Sequence, residues 1–161
     1  MEIIQVQTSA ELNQIKGLFR EYFEFLSRDH GLDMTYQGIA DELASLPGKF
    51  AAPEGRLMLA VQSGCPIGCA ALRPLDAHVC ELKRMYVLPQ SRGQGVGKAL
   101  ATTLIQEARQ IGYQLMRLDT GNFLIAAQIL YESLGFKPIA PYYDVPEDIR
   151  RVAIFMELAL T

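Results

Sequence analysis

The chain has 161 residues, 50% of them hydrophobic and 20% charged, with a formal net charge of -3. That length suits one domain burying about two thirds of its unfolded surface, and the composition excludes an extended disordered chain. So small a negative charge supplies no field for gathering nucleic acid, so a single domain over 1–161 with no nucleic-acid partner is expected.

The first residues, MEIIQVQTSAEL, have neither the basic start nor the apolar block of a leader peptide, and no apolar run approaches the roughly 18 residues that cross a bilayer. A cytoplasmic protein with no membrane partner is therefore expected. EIIQVQ at 2–7 alternates apolar and polar residues and reads as a half-buried strand. Thr8 with Glu11 then forms a capping box, and Leu12, Ile15, Phe19, Phe23 and Leu26 recur at helical spacing, which predicts one buried stripe ending near SRDHG. A second helix at about 36–46 puts Ile39, Leu43 and Leu46 on one face and stops at Pro47-Gly48.

RLMLAVQ at 56–62 and IGCAALRPL at 67–75, joined by SGCP, form a predicted hairpin, and VCELKRMYV at 79–87 is a third strand of the group. Regular alternation would place Glu81, Lys83, Met85 and Val87 on one face of it and Leu82, Arg84 and Tyr86 on the other. Three cysteines, Cys65, Cys69 and Cys80, are odd in number and contain no CxxC, which suits reduced thiols. With His78 they lie close in sequence, but their spacing matches no zinc knuckle, so no metal is expected.

SRGQGVGKAL at 91–100 follows, then a helix with Val96, Leu100, Leu104, Ala108 and Ile111 on its buried side, stopped by Gly112. QLMRLDT at 114–120 is the next strand. A helix at about 123–134 ends before Gly135, a short strand follows, and RVAIFMELAL at 151–160 closes the chain as a long strand. The predicted order is β-α-α-β-β-β-loop-α-β-α-β-β, a mixed α/β domain.

Glycines at alternate positions before a helix point to an anion held by backbone N–H groups. A nucleoside-triphosphate loop needs GxxxxGK[ST]; aligned on Gly97-Lys98, it meets Arg92 in place of the first glycine and Ala99 in place of the metal-binding hydroxyl. A dinucleotide fingerprint needs GxGxxG close behind a strand, but the third glycine comes early and the strand ends about five residues too soon. Asp119, at the end of the next strand, is the feature that still speaks for that reading.

A third pattern fits better. Arg92-Gly93-Gln94-Gly95-Val96-Gly97, between a strand and a long helix, resembles the pyrophosphate loop Arg/Gln-x-x-Gly-x-Gly/Ala of the GNAT superfamily of N-acetyltransferases. CELKRMYVLP is similar to the family's preceding strand, and LYESLGF at 130–136 to its Tyr-x-x-x-Gly-Phe segment, so these motifs span about 79–137. The resemblance implies the GNAT fold: an α/β domain with a central mixed, mostly antiparallel twisted sheet of about six to seven strands, flanked by about four helices. It also implies acetyl-CoA as co-substrate and direct transfer to a small amine, amino acid or peptide, and it is compatible with a homodimer.

Residue by residue, the resemblance assigns coenzyme contacts to Met85, Tyr86 and Val87, to Arg92 through Lys98, and to Asn122. Tyr131 is the expected proton donor to the thiolate, with packing under the loop as its plainer role. Glu81 is the expected base, directly or through water; an ion pair with Lys83, Arg84 or Arg73 is the alternative. Asn122 is equally readable as a helix cap. A free backbone N–H at Met85 to Val87 would hold the oxyanion where strand pairing is irregular.

His30 and His78 have no motif around them. Cys69 and Cys80 lack a Cys/His spacing for acyl-cysteine chemistry. The segments 25–36 and 140–151 are expected to flank the acceptor, with Tyr142, Tyr143, Asp144, Glu147 and Asp148 readable either as attracting an ammonium or as a solvated loop. A degenerate acyl-CoA-binding or interaction module would use the same loop without turnover.

Overall fold

Thr8 Oγ1 accepts a hydrogen bond from the Glu11 N–H at 3.1 Å, and Glu11 Oε1 accepts from the Thr8 N–H at 3.0 Å. These bonds satisfy donors that a helix start leaves bare. In the computed structural model, which describes residues 1–161, helix α1 runs Ser9–His30 and ends on Gly31 in the left-handed conformation. Its buried stripe, Ile15, Leu18, Phe19, Phe23 and Leu26, keeps four of the residues the periodicity marks and adds Leu18, while Leu12 is half-buried.

The remaining helices are α2 (Ile39–Ser45), α3 (Val96–Ile111), α4 (Ile125–Ser133) and α5 (Glu147–Arg150). The strands are β1 (Glu2–Gln5), β2 (Arg56–Gln62), β3 (Cys65–Pro74), β4 (Val79–Val87), β5 (Leu115–Gly121), β6 (Lys137–Ile139) and β7 (Ala153–Ala159). They form one seven-stranded sheet in the order β1-β2-β3-β4-β5-β7-β6. Every pairing is antiparallel except that of β4 with β5. On one face Phe19 of α1 packs with Leu59 and Ala71; on the other Leu100 and Leu104 of α3 pack with Met116 and Phe136. No helix is long and apolar enough to cross a membrane.

Two boundaries differ from expectation. The segment at 36–46 splits into a 3₁₀ turn, Thr35–Gln37, and α2, because Gly38 between them takes φ +68°. The last strand begins at Ala153 because α5 and the turn after it use the preceding residues, adding a short fifth helix.

The feature that makes a site is a break in the sheet. β4 and β5 pair over Val79–Glu81 and Leu115–Arg117 alone. Beyond that, β4 stays with β3 as far as Val87 and β5 stays with β7 as far as Gly121, so the sheet opens as a wedge. A bulge bends β4 at the same place: Ala71 faces Lys83 and Cys69 faces Tyr86, leaving Arg84 and Met85 opposite Ala70. Arg84 takes φ +59° there, a costly conformation for a residue with a side chain.

The bulge also corrects the face assignment for this strand. Met85 and Val87 join Cys80 and Leu82 against α3, while Tyr86 packs on the α1 side with Cys69. An extra residue in the strand reverses the alternation beyond it.

Candidate active site

The wedge opens into a cavity of about 690 Å³ whose wall is formed by α1, β4, the glycine loop, the end of β5 and α4. At one end lies the loop. Gly93 and Gly95 have φ of +77° and +82°, positions where a side chain is strained. Gly95 is also the N-cap of α3, and no side chain caps that helix. The first helical bond runs from Ala99 N–H to the Gly95 carbonyl at 3.0 Å, so the N–H groups of Val96, Gly97 and Lys98 are unclaimed at the positive end of the helix. Gly68 on β3 lets α3 begin close to the sheet: a Cβ there would lie 3.1 Å from the Val96 side chain.

Within the loop, Arg92, Gly93, Gly95, Val96, Gly97 and Lys98 border the cavity. Arg92 Nε donates to the Val87 carbonyl at 3.0 Å, and its guanidinium lies over the rings of Phe25 and Tyr86 at 5.3 and 5.6 Å. Gln94 does not border it; its amide turns back to the Gln90 carbonyl at 3.5 Å. A Cβ on Gly97 would meet nothing nearer than Leu130 at 3.5 Å, an ordinary contact. Packing within the chain therefore does not demand glycine at that position.

Along one side of the cavity run Met85, Tyr86 and Val87, on the edge of β4 that β5 has left. Backbone groups on that edge have no strand to pair with. Across from them, α4 presents Tyr131, 5% exposed, with its hydroxyl directed at Met85 Sδ at 4.0 Å and its ring against Phe136. Burial, then the nearby Tyr22 and Asp119, raise the hydroxyl's pKa well above that of an ordinary phenol. The Tyr131 hydroxyl is thus held protonated.

Asn122 lies beside the cavity but outside its wall. Its N–H donates to Val152 O at 2.8 Å and its carbonyl accepts from Gln128 Nε2 at 3.0 Å, while Leu124 occupies the N-cap of α4. Its side chain is exposed and does not cap α4.

Glu81 also lies outside the wall. It is 0% exposed; Oε1 accepts from Arg73 Nε at 2.7 Å and Oε2 from the Tyr142 hydroxyl at 2.6 Å. The cross-strand pair with Arg73 is the alternative read from the sequence, and Lys83 stands 3.7 Å away on the cavity side. The carboxylate that does reach the cavity is Asp119, at 17% side-chain exposure, with Oδ2 accepting from the Tyr143 hydroxyl at 2.6 Å.

The end away from the loop is built by Tyr22, Tyr36, Gln37, Lys83, Arg84 and Asp119. Arg84 is buried and bound bidentately to Glu42 of α2 at 2.8 and 2.9 Å, bonded to Gln37 and stacked over Phe23 at 4.9 Å. This clamp is what stabilises the bulge against its strained backbone. Burial opposes the charge on Glu42, yet Arg84 and then Lys49 outweigh it and hold the carboxyl below its ordinary range.

The sequence segment 25–36 does line the cavity, through residues such as Phe25, His30 and Tyr36. From 140–151 only Ile149 does; Tyr142, Tyr143, Asp144, Glu147 and Asp148 do not border the cavity. The two tyrosines instead pack on Phe155 and carry hydrogen bonds to Glu81 and Asp119. His30 stacks on Phe123 at 4.0 Å, linking the end of α1 to the loop after β5. Cys69 and Cys80 are buried away from the cavity, and burial pushes the Cys80 thiol up to about 12, so neither is poised as a nucleophile.

A split sheet, an uncapped helix start and a buried phenol thus surround one cavity. The acetyltransferase (GNAT) family pattern matches residues 12–136, and the chain belongs to that family, whose enzymes use acetyl-CoA. An uncharacterized N-acetyltransferase of Schizosaccharomyces pombe is 38% identical over 148 residues, covering 91% of this chain and 88% of the relative. The IAA acetyltransferase of Azospirillum brasilense is 33% identical over 136 residues, covering 82% and 85%. Among solved structures, a GNAT acetyltransferase of Staphylococcus aureus superposes with a TM-score of 0.79 at 22% identity, covering 99% of each chain. YncA of Salmonella typhimurium, solved with its cofactor acetyl-CoA, gives 0.70 at 24% identity and covers 100% and 94%.

Proposed function

We propose that this chain moves the acetyl group of acetyl-CoA directly to a primary amine of a small molecule, amino acid or peptide. The observation that carries the reading is one continuous cavity joining the uncapped start of α3, the unpaired edge of β4 and the Tyr131 hydroxyl. The residues present fit acetyl-CoA. The free N–H groups of Val96, Gly97 and Lys98 suit a pyrophosphate, with charge from Arg92 and Lys98 and with Gly93 and Gln94 shaping the turn. The Met85–Val87 edge suits the amide-bearing arm that would lie along it as an added strand, and Asn122, exposed between the wall residues Gly121 and Phe123, is the side chain read for a hydrogen bond to that arm.

Bound acetyl-CoA supplies an acyl thioester. Around it, a backbone N–H between Met85 and Val87 donates to the charge that develops on the acyl oxygen. As the amine nitrogen bonds to the acyl carbon and the C–S bond breaks, Tyr131 gives its proton to the departing sulfur. The acceptor's ammonium first gives one proton to Asp119, which reaches the cavity and releases it to solvent, so that a neutral amine attacks; the second proton, lost as the C–N bond forms, follows the same way, while Glu81 acts at second hand through Lys83. Tyr131 is restored from solvent.

The reading is tested by thiol release from acetyl-CoA over a panel of amines, with Tyr131→Phe, Asp119→Asn and Glu81→Gln beside the wild type. Acceptor-dependent release is expected, with kcat down about tenfold to a hundredfold in Tyr131→Phe. Tight coenzyme binding without release on any amine would leave a binding module.

A further inference from the structure

One group in the cavity wall is given no direct part in the chemistry above. Lys83 is 7% exposed, yet its Nζ stands 3.5 Å from Asp119 Oδ1 and 3.7 Å from Glu81 Oε1. Both distances exceed the 2.7–3.2 Å of a good N–H···O hydrogen bond. The two carboxylates have nearer donors, Arg73 and Tyr142 on Glu81 and Tyr143 on Asp119. The third neighbour of the ammonium is the Tyr143 ring, 5.8 Å from Nζ to its centroid. An ammonium carries three donors, and its two carboxylate neighbours stand too far off to take them well, which leaves room for a further acceptor. Lys83 borders the cavity, so that acceptor can come from a ligand.

The charges around this end narrow what the ligand is. Arg84 is neutralised from behind by Glu42. Asp144, Glu147 and Asp148 lie outside the wall, leaving Asp119 as its acidic side chain. The acceptor therefore meets one cation and one anion side by side, 3.5 Å apart, in a wall that Tyr22 and Tyr36 also line. A simple amine would satisfy Asp119 and be repelled by Lys83. A polyamine would carry a second ammonium toward Lys83 and Arg84 with no further carboxylate to receive it.

We infer that the acceptor is a zwitterion, a primary amine with a carboxylate close to it in the manner of an α- or β-amino acid, bound with its ammonium toward Asp119 and its carboxylate toward Lys83. Such a molecule replaces the long Lys83–Asp119 contact with two shorter charge-assisted ones. The inference rests on the amine-acetylation reading and narrows it.

The test is kcat/KM on matched acceptors: amino acids, the same amino acids as amides, and the corresponding decarboxylated amines, with a linear polyamine as a further arm. The carboxylate-bearing member of each set is expected to lead by about a hundredfold. In Lys83→Met the order should collapse, the amino acid losing through KM and the decarboxylated amine gaining. If that variant does not fold, the wild-type series decides alone. Equal or better use of amides, decarboxylated amines or the polyamine by the wild type overturns the inference and leaves acetylation standing, as does a folded Lys83→Met that keeps the preference. Absence of thiol release with every amine overturns the acetylation reading and this inference with it.

Discussion

At one end of the cavity the proposed recognition groups are backbone N–H groups of the first turn of α3, after Gly95; at the other they are the side chains of Lys83 and Asp119, brought in by β4 and β5, with Arg84 bound to α2 behind them. The first kind of surface depends on local conformation, and so it can be written in a few consecutive residues. The second depends on which strands and helices meet, and its members are far apart in the chain: Arg84 and Glu42 are 42 residues from one another. The donor end is therefore a motif, and the acceptor end is a product of the fold. It follows that substitutions at the two ends should separate cleanly into those that change coenzyme affinity and those that change acceptor use.

The largest break is expected from Gly95→Asp, which puts a carboxylate where an anion is to bind. Coenzyme affinity measured by calorimetry should fall on the order of a thousandfold, with circular dichroism showing the fold retained. Unchanged affinity in a folded variant would detach the loop from the coenzyme.

Arg84→Met attacks the other end. It leaves Glu42 buried with Lys49 as its remaining cation, and a loss of about 3 kcal/mol in denaturant unfolding is expected. Because the folded Glu42 carboxyl is held below its ordinary value, its contribution to stability is complete above about pH 4.3 and is lost as pH falls through the lower folded value. Glu42→Gln should flatten that acid limb. An unfolding profile with the same slope below about pH 4.3 in both proteins would count against the clamp.

Gly97→Ala is the mildest probe. Within the chain the new methyl meets ordinary contacts, and alanine suits a helix better than glycine. Stability should hold or rise by about 0.5 kcal/mol, while the acetyl-CoA KM rises about tenfold and the acceptor KM stays level. A rise in both would mean that the two ends are not independent.

The same contrast explains what could be read from the chain. Thr8 and Glu11 announced a helix start because the bonds between them are local, and the Gly93–Gly97 run announced a tight turn into a helix for the same reason. Tyr131 was legible through the short segment that ends in Gly135-Phe136. The regular alternation assumed for 79–87 fails at Arg84, since nothing in VCELKRMYV signals an inserted residue with positive φ. Asp119 was visible as a residue but not as part of the wall, because its position follows from β5 leaving β4 and staying with β7. Tyr142 and Tyr143 sit in a segment whose acidic residues suggested contact with the acceptor. Packing on Phe155 instead makes them hydrogen-bond donors to Glu81 and Asp119.

The short parallel pairing of Val79–Glu81 with Leu115–Arg117 has one more consequence. It is a narrow seam between two half-sheets, β1 to β4 on one side and β5 to β7 on the other. A molecule seated in the wedge acts as mortar, touching both halves and opposing their separation. Coenzyme at a hundred times its dissociation constant would add about 2.7 kcal/mol to the folded state, and amide exchange in Leu82–Val87 would slow as a bare strand edge gains a neighbour.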